Sequence, residues 1–133
     1  MLLVDAKAGP SRVHGTGLIA QAFIPEGARV WAFMPGFDVL IPEDDLERLS
    51  PAARAQAIYW SYFHLATRTF VMSSDDDRFT NHADDPNTRV VGDHTVAVRD
   101  IQRGEEITND YNELVMLNFP TQNDYGVKWA RSL

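Results

Sequence analysis

Several groups of residues in this sequence have types and spacings that bear on chemistry. Gly15-Thr16-Gly17 is a close glycine pair, which lets a backbone approach a ligand or turn tightly because no Cβ stands in the way. It lacks the third glycine of a dinucleotide fingerprint. Asn81-His82 lies in the long polar run SSDDDRFTNHADDPN (73–87), and Tyr111 closes the short run EITNDY. Asp75, Asp76 and Asp77, with Asp84 and Asp85, are acidic enough to attract a divalent cation, but they lack the alternation and closing glutamate of a calcium loop. A solvated acidic loop is expected there. His14, His64, His82 and His94 have no ligand-like spacing and there is no cysteine, so no protein-bound metal, disulfide or thiol nucleophile is expected. No GxSxG occurs, which leaves a serine nucleophile without support.

These residues must be positioned by a fold of modest size. The 133 residues fit one domain, residues 1–133, and 44% hydrophobic with 23% charged residues is the composition of a globular protein. No apolar run reaches the roughly 18 residues needed to cross a bilayer, and the N-terminus has no basic flank followed by a long apolar stretch. A cytoplasmic location is the expectation, with no membrane partner. The net charge of −7 disfavours direct nucleic-acid binding, which needs cations to neutralise phosphates. It favours cationic partners such as lysine-rich segments, although on composition alone a charge of this size more often serves solubility.

Strands are predicted at LIAQAFI (18–24), ARVWAF (28–33) and TFVM (69–72), with a hairpin of TRVV and HTVAVR around Gly92-Asp93 and a last strand in EITNDY. Pro42 begins a short helical stretch through Leu46 and Leu49. Ser50-Pro51 pairs a capping serine with a proline at the first helical position, so the main helix is predicted from Ala52 to about Leu65. The phrases IPEG (24–27) and IQRG (101–104) are similar turns, too short to establish a repeat.

Taken in order, Gly15-x-Gly17, RFTNHADDPN (78–87) and GEEITNDY (104–111) resemble the SET domain family, whose pattern runs GxG, RFxNHxxxPN, GEELTxDY. The resemblance covers about Val13 to Tyr111 and looks closest to small stand-alone bacterial members. It implies a mainly β fold with one main helix: a clip of small sheets whose C-terminal segment threads beneath a loop and brings Asn81-His82 beside Tyr111. It implies S-adenosylmethionine as cofactor, held by Gly15, Thr16, Gly17, Arg78, Asn81 and His82. Tyr111 matches the family's catalytic tyrosine and Phe79 the aromatic lining the site. The activity implied is transfer of methyl groups to a lysine of a protein substrate.

The sequence also departs from the pattern. Two positions before the tyrosine, where the family has phenylalanine or tyrosine lining the substrate channel, stands Asn109. Ala83 and Asp84 replace a common serine and cysteine, and no cysteine-rich tail follows. The tail 112–133 instead offers Phe119, Tyr125 and Trp129, of which Trp129 is the candidate to stack on the adenine. With no flanking domain in these residues, target recognition is expected from the clip's own surface or a homodimer. A SET-like module that binds peptide or cofactor without turnover is the rival reading, with Asn109 as its main support. An accidental match in a small acidic interaction protein is the third.

Overall fold

The structure is a computed structural model that describes residues 1–64 and 67–114. It is mostly short β-strands in small sheets, with one main helix. In chain order the elements are β1 (Ala6–Pro10), β2 (Thr16–Ala20), β3 (Arg29–Ala32), β4 (Val39–Pro42), a 3-10 helix (Glu43–Arg48), α1 (Pro51–Trp60), β5 (Ser61–His64) and β6 (Thr69–Met72). A second 3-10 turn (Asp76–Phe79), β7 (Asn81–His82), β8 (Thr88–Val91), β9 (His94–Ala97), β10 (Glu106–Asn109) and the single turn α2 (Tyr111–Leu114) follow.

The strands form three sheets, ordered β1-β2-β10-β7, β3-β9-β8 and β4-β6-β5. The first sheet matters most for the site. β10 pairs antiparallel with β2, Glu106 opposite Ile19, and parallel with β7, Thr108 opposite Asn81 and Asn109 opposite His82. The last strand therefore carries the GEEITNDY residues between the glycine-pair strand and the Asn-His pair. Leu18, Ile24, Val30, Ile101 and Ile107 bury almost completely behind it with Ala20 and Ala97. Each large aliphatic side chain contributes about 1.5–3 kcal/mol by leaving water. The IPEG and IQRG turns meet here, because Ile24 and Ile101 exchange both backbone hydrogen bonds, at 2.9 and 2.8 Å.

A second core lies under the β4-β6-β5 sheet, where Phe63 and Phe70 are cross-strand partners with ring centroids 4.9 Å apart. Leu46 of the 3-10 helix packs with them. Ser50 caps α1 by accepting from the Ala53 N–H at 3.2 Å, with Pro51 at the first position.

Several expectations are corrected. The helix stops at Trp60 rather than about Leu65, because Ser61 is already extended (φ −109°, ψ 160°) and Ser61–His64 pairs with β6. Burying Phe63 against Phe70 outweighs whatever helical preference continues past Trp60. The strand predicted at 18–24 is shifted to Thr16–Ala20, and β1, β4, β5 and β7 were not foreseen. The acidic loop is not merely solvated. Asp75 accepts from the Leu2 N–H at 2.7 Å and Asp76 from the Ala8 N–H at 2.9 Å, so the run staples the N-terminal arm to the fold. Among the described residues, no helix is long and apolar enough to cross a membrane.

Candidate active site

The glycine pair, the RFTNH segment and Tyr111 converge at one end of the four-stranded sheet. Asn81 is 3% exposed, and its Nδ2 lies within hydrogen-bonding distance of His14 O (2.9 Å), Thr16 O (3.0 Å), Ser11 Oγ (3.0 Å) and Glu106 Oε2 (3.1 Å). An amide has two hydrogens to donate, so these acceptors share them. Ser11 Oγ donates to the Glu106 carboxylate at 2.8 Å and accepts from the Val13 and His14 N–H groups. Ser11, Asn81 and Glu106 thus tie the 11–16 loop to β7 and β10. Sequence reasoning gave no role to Ser11 or Glu106, although Glu106 stands within GEEITNDY.

This tie explains Gly17. A Cβ there would lie 2.5 Å from Glu106 Oε2 and 3.1 Å from Ser11 Cβ, so the glycine makes room for the carboxylate. Gly15 is a glycine for another reason: its φ is +50°, and a Cβ would meet nothing within 4 Å. Among the described residues nothing fills the space beside Gly15, and His14, Gly15 and Thr16 are exposed.

His82 is held with a definite polarity. The Tyr111 backbone N–H donates to Nδ1 at 3.0 Å, which makes Nδ1 an acceptor and places the proton of the neutral ring on Nε2. Nε2 in turn faces Asp84 Oδ1 at 3.0 Å. The His82 and Tyr111 ring centroids are 5.3 Å apart, so the parallel β7-β10 pair does bring Asn81-His82 beside Tyr111. The Tyr111 hydroxyl donates to the Thr80 carbonyl at 2.8 Å, inside the RFTNH segment itself.

The remaining candidates have other surroundings. Arg78 donates to the Asp75 carbonyl at 3.0 Å, and its guanidinium lies 4.7 Å from the Phe79 ring centroid. Phe79 also meets Trp60 edge to face, centroids 5.0 Å apart. Asn109, expected in the substrate channel, is 7% exposed and its Oδ1 accepts from the Thr88 hydroxyl. The oxygen of that amide works inside the fold. Asn87, which closes the RFTNHADDPN segment, donates to the Glu106 carbonyl at 2.8 Å and accepts from the Thr108 N–H at 2.9 Å. It locks the loop to β10, a role sequence reasoning missed although the match included it. Phe119, Tyr125 and Trp129 lie outside the described residues.

Burial pushes the Asp77 carboxyl up to about 6, helped by the Asp75 charge and opposed by hydrogen bonds from Ser73 and Thr80 and by the N-terminal ammonium. Tyr62 is driven well above its usual range by burial and by the charges of Asp77, Asp38 and Asp93.

Solved structures share this fold. A humanized mutant of the Chaetomium thermophilum Polycomb Repressive Complex 2, bound to the inhibitor GSK126, superposes with a TM-score of 0.62 at 23% identity, over 89% of this chain and 16% of that one. The structure titled ctPRC2 in an autoinhibited conformation, bound to S-adenosylmethionine, gives 0.61 at 23% identity with the same coverages. The Neurospora SET domain protein DIM-5, a histone lysine methyltransferase, gives 0.57 at 21% identity, over 83% of this chain and 53% of that one. This chain therefore spans a small part of the first two and about half of the third. No curated protein matches it in sequence. The SET domain model matches residues 15–112, which takes in the glycine pair, the Asn-His strand and Tyr111, and the chain belongs to the SET domain family.

Proposed function

We propose that this domain transfers methyl groups from S-adenosylmethionine to a lysine of a protein substrate. The observation that carries the reading is the Tyr111 hydroxyl fixed on the Thr80 carbonyl, beside His82 and next to a glycine-pair loop fastened by Asn81.

The residues present fit the cofactor in one clear respect. The loop at His14–Thr16 is exposed, and open space beside Gly15 admits a ligand against backbone. The Asn81 amide donates within the protein, so its contribution is to hold that loop in shape. His82, with its Nδ1 engaged by the Tyr111 N–H and its Nε2 by Asp84, offers its ring face. S-adenosylmethionine supplies an activated methyl on a sulfonium, so the protein's work is alignment and delivery of a neutral amine.

Deprotonating a lysine of ordinary pKa near pH 7.5 costs about 4 kcal/mol. Desolvation in a narrow site lowers that cost by disfavouring the ammonium. Because the Tyr111 proton is directed at Thr80, the phenol oxygen acts as an acceptor toward a third group. It is suited to receive a hydrogen from the incoming amine and to turn the nitrogen lone pair toward the methyl group.

The substrate proposed is a lysine in a basic protein segment, drawn by the net charge of −7. A cytoplasmic setting and recognition by the clip's own surface or a homodimer complete the proposal. The test is tritiated methyl transfer from S-adenosylmethionine to lysate proteins and histones, with mass spectrometry of labelled bands and a salt series on a lysine-rich peptide. Label on lysine that weakens as salt rises supports the reading. Thermal melting unchanged by saturating S-adenosylmethionine, together with no label, overturns it.

A further inference from the structure

The three consecutive aspartates do different things. Asp75 and Asp76 hold backbone N–H groups of the N-terminal arm. Asp77 turns inward. Ser73 Oγ donates to its Oδ2 at 2.9 Å, and Thr80 Oγ1 lies 3.4 Å from its Oδ1. The Asp77 carbonyl also accepts from Thr80 twice, from Oγ1 at 2.7 Å and from the N–H at 3.0 Å. Thr80 is 4% exposed and leads directly into Asn81. Its own carbonyl is the group that receives the Tyr111 hydroxyl.

We infer that Asp77 is a positioning residue for Tyr111: its carboxylate, held between Ser73 and Thr80, fixes the Thr80 peptide on which the Tyr111 hydroxyl rests. The physical reason is one of donor count. An ionised carboxylate only accepts, and the one Thr80 hydroxyl hydrogen goes to the Asp77 carbonyl at 2.7 Å, which leaves Oδ1 at 3.4 Å from Thr80 Oγ1; a protonated Oδ1 brings its own donor for that oxygen and draws the two together. Thr80 Oγ1 makes the longer of the two contacts and is the one to change. Movement of Thr80 then carries the acceptor of the Tyr111 hydroxyl with it. The turn couples a buried carboxyl to the proposed catalytic phenol through one residue.

The charged and titratable groups facing Asp77 are Asp75 from the same turn, the N-terminal ammonium from the arm, and Tyr62 from β5. Tyr111 itself faces His82, with Asp110 3.6 Å from the His82 ring. Burial pushes the Asp77 carboxyl up to about 6, so the coupling is exercised near neutral pH.

The consequence for turnover rests on the methyl-transfer reading, whereas the placement of Tyr111 does not, and two measurements separate them. In the first, protein carrying ¹³C-labelled tyrosine is titrated by NMR, with Tyr111 assigned from Tyr111→Phe. The Tyr111 signal should move with a component centred near 6 that is absent in Asp77→Asn. Components from other groups persist in both. In Ser73→Ala the Asp77 component should move to higher pH, because the Ser73 hydrogen bond holds that carboxyl down. Identical Tyr111 titrations in wild type and Asp77→Asn overturn the inference; if Asp77→Asn does not fold, an unmoved component in Ser73→Ala does so. In the second, the pH profile of kcat/KM should fall below pH 6 with a logarithmic slope of about two in wild type and about one in Asp77→Asn, the remaining proton being the substrate amine's. Profiles of the same shape also overturn it. If wild type transfers no methyl at all, the function reading fails and the NMR titration alone decides the role of Asp77.

Discussion

Asn81 Nδ2 donates toward Glu106 Oε2 at 3.1 Å, joining the β7 strand to the strand that ends beside Tyr111. The same amide reaches the His14 and Thr16 carbonyls, so one side chain holds the glycine-pair loop, the Asn-His strand and the last strand in register. Asn81→Ala would leave the part-buried Glu106 carboxylate and two carbonyls short of one donor, at a cost of about 1–3 kcal/mol for such groups. Denaturant unfolding should show that loss even without ligand. S-adenosylmethionine binding should weaken at least about tenfold, or about 1.4 kcal/mol, because the loop loses its shape. Calorimetry showing unchanged affinity in a variant of wild-type stability would remove Asn81 from this role.

The two glycines of the pair should not be equivalent. Gly15→Ala faces only the strain of φ +50° in open space, worth about 1 kcal/mol. Gly17→Ala drives a Cβ into Glu106, 2.5 Å away, and must break the Ser11–Glu106–Asn81 tie, adding about 1–3 kcal/mol of overpacking. Melting temperatures should therefore rank wild type above Gly15→Ala and Gly15→Ala above Gly17→Ala. The reverse order would show that Glu106 yields without cost.

Tyr111→Phe removes a hydroxyl whose partner is the Thr80 carbonyl, while the ring keeps its place beside His82. The stability loss expected is about 1 kcal/mol, the net worth of one hydrogen bond. Methyl transfer should nearly vanish with cofactor binding close to wild type. Radiometric assay and calorimetry on the same preparation test both halves, and retained turnover would exclude the phenol oxygen from the chemistry.

The parts of this fold legible in the sequence were those set by local chemistry. Ser50-Pro51 announced the start of α1 and Gly92-Asp93 the β8-β9 turn, whereas the convergence on Tyr111 came from the family resemblance. The parts that stayed hidden depend on distant partners. The two residues of β7 are a strand only because Thr108 and Asn109 lie alongside, and the end of α1 depends on Phe63 finding Phe70. The run Asp75-Asp76-Asp77 reads as solvated until the Leu2 and Ala8 N–H groups come within reach. Ser11 and Glu106, 95 positions apart, carry no local signal of their pairing.

Stability should also depend on pH through Asp77. Its carboxyl ordinarily titrates near 3.8 and is raised to about 6 in the fold. Between those values the folded state holds a proton that the unfolded chain has released, so stability rises as pH falls through the window and is lowest above it. Asp77→Asn should therefore be more stable than wild type at pH 7.5, by on the order of 1–3 kcal/mol. The two should draw together near pH 4. Urea midpoints across pH 4–8 measure this, and a constant difference between the proteins would show that the charge of Asp77 is not what costs stability.

The last prediction concerns the methylation state. Asn109 is two residues before Tyr111, yet its Oδ1 lies against the Thr88 hydroxyl, whose one hydrogen it shares with the Thr108 carbonyl at 2.6 Å. Held this way, the amide is smaller than a phenol and its oxygen is turned to Thr88, so it gives the incoming amine little to be pinned by. Room for a partly methylated nitrogen should result, and di- or trimethyl-lysine is the expected product. Thr88→Val keeps the volume but removes the hydroxyl, which releases the Asn109 oxygen to accept a hydrogen from the neutral amine and should shift product toward monomethyl-lysine. Asn109→Tyr should act in the same direction by filling the space, at a cost in stability from overpacking a residue that is 7% exposed. Mass spectrometry of a peptide substrate separates the outcomes. Wild type stopping at monomethyl-lysine, with Thr88→Val unchanged, would show that the Thr88–Asn109 bond does not govern the product.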